Sequence, residues 1–336
     1  MTKVAVMGSG SWGTAFANVI ADAGAAEVVV YGRRSAVVDA INQRHENPAY
    51  FPGMALNPAL TATADAAKAL AEADFVVLAV PSQTLRDNLA AWREHISGEA
   101  VLVSLMKGVE LGTCRRMSEV ATEVSGVPAD RVAVVSGPNL AREIAERQPA
   151  TAVMACRHEP TAVRLQDICK SAYFRPYTAT DVVGVELGGA VKNVIALAVG
   201  VAVGMGFGDN AQASLITRGL AETVRLAVSL GADEHTLAGL AGLGDLVATC
   251  GSPLSRNRTF GEKLGSGMTL EEVVAETSQT AEGVKSSESV LELARRTGAE
   301  MPITEAVVAM MHHDLSPAEA LAAFMSRRSK PERYGF

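Results

Sequence analysis

Short runs of Val, Ile and Leu alternate with segments of helical composition through the first half of this chain. The runs Val4–Met7, Val28–Tyr31, Phe75–Val80, Ala100–Ser104 and Arg131–Ser136 show little polar alternation, the pattern of strands buried on both faces of a parallel sheet. Between the first two, Thr14–Ala23 places apolar residues at helical spacing, so the chain opens with a βαβ unit. Thr151–Ala155 predicts one more strand. From Val183 onward Ala, Leu, Glu and Arg dominate, and helical periodicity fits Leu215–Leu230, Thr269–Glu276, Val284–Thr297 and Ile303–His312, with Ser316 as N-cap of a helix over Pro317–Phe324. Breaks at Gly231, Gly251–Pro253, Gly265–Gly267 and Pro302 separate these segments. The expectation is an α/β chain with a doubly wound sheet domain over residues 1–182, a mostly α-helical second domain over 183–325, and a solvated basic tail over 326–336.

Length and composition narrow the picture. At 336 residues the chain exceeds what a single core usually fills, and 48% hydrophobic residues supply two cores. A formal charge of −7 is the wrong sign for a surface that meets nucleic-acid phosphates or anionic lipid, so neither is an expected partner and any anionic ligand must meet a local cluster. Cys114, Cys156, Cys169 and Cys250 form no CxxC pair, which fits reduced thiols in a cytoplasm. No histidine spacing suggests a metal site, and none is expected. The opening MTKVAVMGSG enters a strand at once, without the layout of a signal peptide. Val194–Met205 is apolar for only about twelve residues against the ~20 a membrane span needs, and reads as a buried core helix. The segment Asn42–Pro58, with Tyr50 and Phe51 at its centre, is long for a connection and reads equally as a lid or as a surface excursion.

Gly8, Gly10 and Gly13 form a GxGxxG between the first strand and the helix after it. In that context the first glycine permits a tight turn, the second admits a pyrophosphate, and the third allows close packing of helix on strand, with the diphosphate at the helix N-terminus. A dinucleotide site of Rossmann type follows. About twenty residues beyond Gly13, where an acidic residue would bond the ribose of NAD, the chain reads Gly32–Arg33–Arg34. Guanidinium groups pair with a 2′-phosphate, so NADP(H) is favoured and NAD(H) stays open; two solvated arginines are the alternative.

A second constellation suits an anionic substrate. Lys107–Gly108 and Ser136–Gly137–Pro138–Asn139 each follow a strand, at the edge where open α/β sheets bind ligands. Lys192 and Asn193 interrupt an otherwise apolar run, and a buried lysine is poised for acid–base work, although a lysine snorkelling from a helix gives the same pattern. Asp245 stands in a glycine-flanked turn, where it could fix a hydroxyl or the lysine. Ser255–Arg256–Asn257 offers a hydroxyl, a planar fork and an amide, a chemical match to a phosphate monoester.

Taken in order, Gly8–Gly13 with Ser11 and Trp12, Tyr50–Phe51–Pro52–Gly53, Ala79–Val80–Pro81–Ser82, Lys107–Gly108, Ser136–Gly137–Pro138, Ala141 with Glu143, Lys192–Asn193, Asp245, Ser255–Arg256–Asn257 and Glu282–Gly283 resemble the bacterial biosynthetic NAD(P)-dependent glycerol-3-phosphate dehydrogenases over nearly the whole chain. The resemblance implies reversible reduction of dihydroxyacetone phosphate to sn-glycerol 3-phosphate for phospholipid synthesis, with Lys192 moving the proton. It implies substrate contacts from Lys107, Gly137, Asn139, Asp245, Ser255, Arg256 and Asn257. Cofactor contacts would come from Ser11, Trp12, Arg33, Arg34, Lys107, Ala141, Arg256, Thr280 and Glu282. Asn139 stands where Ser or Thr is common, and Thr280 where the family is often aliphatic. A homodimer is expected from the apolar surface of the helical domain. A 6-phosphogluconate or ketopantoate type of dehydrogenase explains the fold equally but Ser255–Arg256–Asn257 less well, and a nicotinamide-sensing regulator leaves Lys192 without a role.

Overall fold

The structure is a computed structural model, and it describes residues 1–277, 281–328 and 331–332. Among the described residues eight strands form one sheet: β1 Thr2–Met7, β2 Ala26–Tyr31, β3 Thr61–Thr63, β4 Phe75–Leu78, β5 Val101–Ser104, β6 Val132–Ser136, β7 Ala150–Cys156 and β8 Phe174–Ala179. Their order is β3-β2-β1-β4-β5-β6-β7-β8. The first six run parallel, in registers such as Val4 opposite Val28 and Phe75, so Gly8, Gly32, Lys107 and Gly137 all follow carboxyl ends of strands on one edge. Strand interiors are buried on both faces because alternate residues enter different cores: Val4 and Val6 join the helix Ser11–Ala23 on one side, Ala5 and Met7 join Leu85, Leu89 and Trp92 on the other.

The sheet departs from the expected pattern at three places. β7 pairs antiparallel with β6, so residues 137–149 turn back at the carboxyl edge instead of crossing over. β3 was not foreseen because three residues carry no periodicity. β8 contains Pro176, which argues against a strand by removing a ladder donor; at the sheet edge that missing donor costs nothing. The helices over 209–229, 270–276, 282–297, 302–312 and 317–325 agree with the expected segments to within a turn or two, and the Ser316 hydroxyl accepts from Glu319 N–H as an N-cap. Of the tail, residues 329–330 and 333–336 lie outside the described residues.

A central helix, Val182–Gly204, organises the second half. It has 23 residues and passes by length and composition as a membrane span, yet 89% of its apolar window is buried within the protein. The helix Arg256–Gly265 crosses it at very close approach: a Cβ on Gly200 would strike the Arg258 carbonyl, and one on Gly261 or Gly265 the carbonyls of Leu197 and Val201. Absent side chains let two backbones touch, which sets the start of the second helix beside the middle of the first.

The helix Pro302–His312 docks through a buried carboxylate. Glu222, on the helix Asp209–Ser229, accepts from Ile303 N–H at 2.6 Å and from Thr304 N–H and hydroxyl at 3.3 Å, filling the N-terminal amides that a helix leaves unpaired. Burial pushes this carboxyl up to about 7, against the opposing pull of those bonds and of Arg225. A raised native value means that stability is fully present below the ordinary carboxylate range and is lost as pH rises through about 7. Thermal melts between pH 4.5 and 7 are expected to show a destabilising slope that Glu222→Gln flattens, the integrated difference being on the order of 3 kcal/mol. Parallel pH dependences in the two proteins would refute the assignment.

Candidate active site

β1 delivers the chain into the glycine turn. Gly8 has φ of +140° and a Cβ there would strike the Ala79 carbonyl; a Cβ on Gly13 would strike the carbonyl of Gly8. Among the described residues nothing lies within 4 Å of the place a Cβ on Gly10 would take, and no side chain caps the helix Ser11–Ala23. The turn therefore offers open space in front of unpaired first-turn amides, the surroundings a diphosphate requires. Trp12 meets Phe16 edge-on at 5.5 Å, and its buried indole Nε1 has no partner among the described residues. Arg33 and Arg34 are exposed beyond β2, and the Arg34 guanidinium sits 5.7 Å from the Tyr50 ring centroid. Ala141 opens the short helix Ala141–Ala145 after β6. Thr280 lies outside the described residues.

The lysines converge on one carboxylate. Asp245, 1% exposed at the start of the helix Asp245–Gly251, receives Lys107 Nζ on Oδ2 at 2.6 Å and Lys192 Nζ on Oδ1. Lys107 also donates to the Gly137 carbonyl at 3.1 Å, and Lys192 to Thr249 Oγ1 at 2.8 Å. An ammonium carries three donors, so each lysine keeps one beyond these bonds. Two cations on one anion leave the cluster net positive. Burial lowers Lys107 to about 8; the Asp245 charge opposes that fall and the Lys192 charge adds to it. Gly189 makes room: a Cβ there would meet Ser136 Oγ at 2.6 Å and Lys107 Cγ at 3.4 Å.

Close crossing of the two helices brings Ser255, Arg256 and Asn257 to the same region. Ser255 Oγ caps the helix by accepting from Arg258 N–H at 3.2 Å, and Arg256 is exposed. Asn257 donates to Asn193 Oδ1 at 3.0 Å and accepts from Gly283 N–H at 2.9 Å, while Asn193 donates to the Lys107 carbonyl at 3.3 Å. Glu282 begins the helix Glu282–Thr297 beside this chain of amides; burial pushes its carboxyl up, opposed by Arg256, Lys192 and Lys107. Asn139 Nδ2 donates to the Thr151 carbonyl at 3.0 Å, and its buried Oδ1 has no partner among the described residues.

Ser136, 3.5 Å from Asp245 Oδ2, belongs to the cluster as its place after a strand suggested, and Thr249 joins it without having been singled out from sequence. Thr249 stands one helical turn from Asp245, the i,i+4 spacing that could have revealed it. Among the described residues no group of three or more His, Cys, Asp or Glu is placed to hold a metal ion.

Comparison with known proteins gives the family. Residues 3–162 match the family model of the NAD-dependent glycerol-3-phosphate dehydrogenase N-terminus and residues 181–322 that of its C-terminus. Curated relatives include glycerol-3-phosphate dehydrogenase [NAD(P)+] of Thermobifida fusca, 78% identical with all of both chains covered, and that of Streptomyces griseus, 66% identical over 98% of each. The crystal structure of glycerol-3-phosphate dehydrogenase from Coxiella burnetii superposes with a TM-score of 0.91 at 36% identity, covering 97% of this chain and 99% of that one. The chain belongs to the NAD-dependent glycerol-3-phosphate dehydrogenase family.

Proposed function

We propose that this chain reduces dihydroxyacetone phosphate to sn-glycerol 3-phosphate with NADPH in preference to NADH, as a cytoplasmic homodimer supplying backbone for phospholipid synthesis. In this reading residues 1–182 hold the cofactor and 183–325 complete the substrate site. The observation that carries it is the pair of lysines held on Asp245 at the sheet edge that also bears the glycine turn.

The glycine turn with Ser11 and Trp12 holds the diphosphate side of the cofactor, and Arg33 and Arg34 meet its 2′-phosphate. When bound, the reduced nicotinamide supplies the hydride taken up by the substrate's carbonyl carbon. Arg256, with Ser255 and Asn257, grips the phosphate end of the substrate, which fixes orientation and turns remote binding energy into rate. As the carbonyl oxygen gains negative charge, Lys192 transfers a proton to it from the donor left over by Asp245 and Thr249, and the C–H and O–H bonds of the product alcohol are complete. Lys107 adds positive charge to the same place. In the reverse direction neutral Lys192 takes the proton back. Loss of absorbance at the reduced-nicotinamide band on mixing protein, NADPH or NADH and dihydroxyacetone phosphate tests the reading; no turnover with either cofactor sinks it.

Three variants test the parts. Replacing Arg33 and Arg34 with Ala is expected to raise KM for NADPH by about tenfold or more and leave KM for NADH nearly unchanged, since each charge-assisted contact is worth ~1.5–3 kcal/mol. Equal effects on both cofactors would free these arginines of any part in reading the phosphate. Lys192→Met keeps the apolar stem, so kcat should fall by at least about a hundredfold while NADPH affinity and Tm stay close to wild type. A folded variant with more than about a tenth of wild-type kcat would remove Lys192 from the mechanism.

The third concerns pH. With Lys107 lowered to about 8, reduction should decline as pH rises past about 8, because the neutral amine no longer offers its charge to the developing alkoxide. Asp245→Asn deletes the charge that opposes the fall, so the alkaline limb of its residual pH–rate profile is expected at lower pH. The limb belongs to the coupled cluster, and an unmoved limb would separate it from Asp245.

A further inference from the structure

The segment between the helix Ser35–Arg44 and β3 is neither a lid nor a loose excursion, and its anchorage points to a function. Thr14, Asn18 and Asp22 stand one turn apart along one face of the helix Ser11–Ala23. Residues from the segment bond to all three. Asn47 donates to Thr14 Oγ1 at 2.9 Å; Asn57 donates its backbone N–H to Asn18 Oδ1 at 2.7 Å and its Nδ2 to Asp22 Oδ1 at 2.8 Å. Between these anchors Phe51 and Leu56 are buried in the sheet core. The chain is strapped along the helix that follows the glycine turn.

Asn47 does more than fasten the strap. It is 0% exposed, and its Nδ2 also donates to the Ser9 carbonyl at 3.1 Å, inside the Gly8–Gly13 turn itself. Its own carbonyl accepts from Tyr50 N–H at 3.1 Å and Phe51 N–H at 2.8 Å, which fixes the bend that presents the Tyr50 ring to the Arg34 guanidinium. A single residue thus links the two: its side-chain amide holds the peptide between the first two motif glycines, and its main-chain carbonyl holds the bend that carries Tyr50 beneath an arginine at the end of β2. Its Oδ1 is buried and accepts no hydrogen bond from the described residues, so the amide is held by its donor side alone.

We infer that Asn47 is a positioning residue for the dinucleotide, holding the glycine turn in register with the Arg34–Tyr50 shelf so that both ends of the cofactor's phosphate recognition are set before it binds. The inference rests on the cofactor half of the proposed function. Because the turn meets the diphosphate common to both nicotinamide cofactors, the effect differs in kind from that of Arg33 and Arg34.

Fluorescence titration of NADPH and NADH without substrate, with thermal melts on the same samples, tests it. Asn47→Ala is expected to weaken both cofactors by about tenfold, the scale of loss from a small misplacement of a binding group. Asn47→Asp, of the same shape but with no donor, should do the same, and provides a second protein should the Ala variant not fold. Thr14→Val removes only the helix anchor and leaves the Ser9 bond, so its affinities should stay within about threefold of wild type even where its Tm falls with that of the Asn47 variants. Folded Asn47 variants that bind both cofactors as wild type does would overturn the inference, as would Thr14→Val weakening them equally, since a loosened helix would then account for the loss. Wild-type protein that binds neither cofactor would instead defeat the cofactor reading itself.

Discussion

The Asp245 carboxylate is shared by two ammonium groups and is almost wholly withdrawn from water. An isolated buried carboxylate is strongly disfavoured, and so is an isolated buried ammonium; here each makes the other tolerable. The three groups come from β5's outgoing loop, the central helix and the helix that starts at Asp245, so the ionic cluster forms only when sheet and helices have met. One positive charge stays uncompensated within it. That surplus favours an anion at this place, the electrostatic setting in which binding sites commonly lie.

Shape makes the cluster possible. Small residues on the central helix and on Arg256–Gly265 let the two backbones come within contact, and this places Asn257 in reach of Asn193 and, through it, of the Lys107 carbonyl. Asn257 also holds Gly283 N–H, so the amide chain runs from the loop after β5 through two helices to the start of a third. A methyl group at Gly200 or Gly261 would push the helices apart and draw that chain out of hydrogen-bonding range.

Much of this was legible in the sequence because it depends on local rules. The glycine turn, the buried strands and the lysine within an apolar run each show in short windows, and the structure brings Lys107, Lys192 and Asp245 together although they lie up to 138 residues apart. What escaped depends on partners that a window cannot hold. β8 was obscured by Pro176, whose meaning changes at a sheet edge, and the reversal of β7 has no signature in residues 137–149. Asn47 looked like one more polar residue in a connection, since nothing in its neighbourhood announces a bond to Ser9 across 38 positions.

The apolar central helix has a consequence for how the chain is made. It leaves the ribosome well before the helix Arg256–Gly265 that covers its glycine face, and at synthesis rates of roughly 5–20 residues per second that interval is several seconds. During it, the 23-residue hydrophobic segment has the finished sheet and then the helix Asp209–Ser229 to lie against, while its glycine face stays uncovered. The antiparallel return of β7 and the edge strand β8 deliver the chain to the start of that helix directly from the sheet, so the first completed unit is also the surface that shelters the next. Vectorial synthesis and fold topology therefore work in the same direction, and a chain that stopped short of residue 265 would leave the glycine face of that apolar helix without its cover.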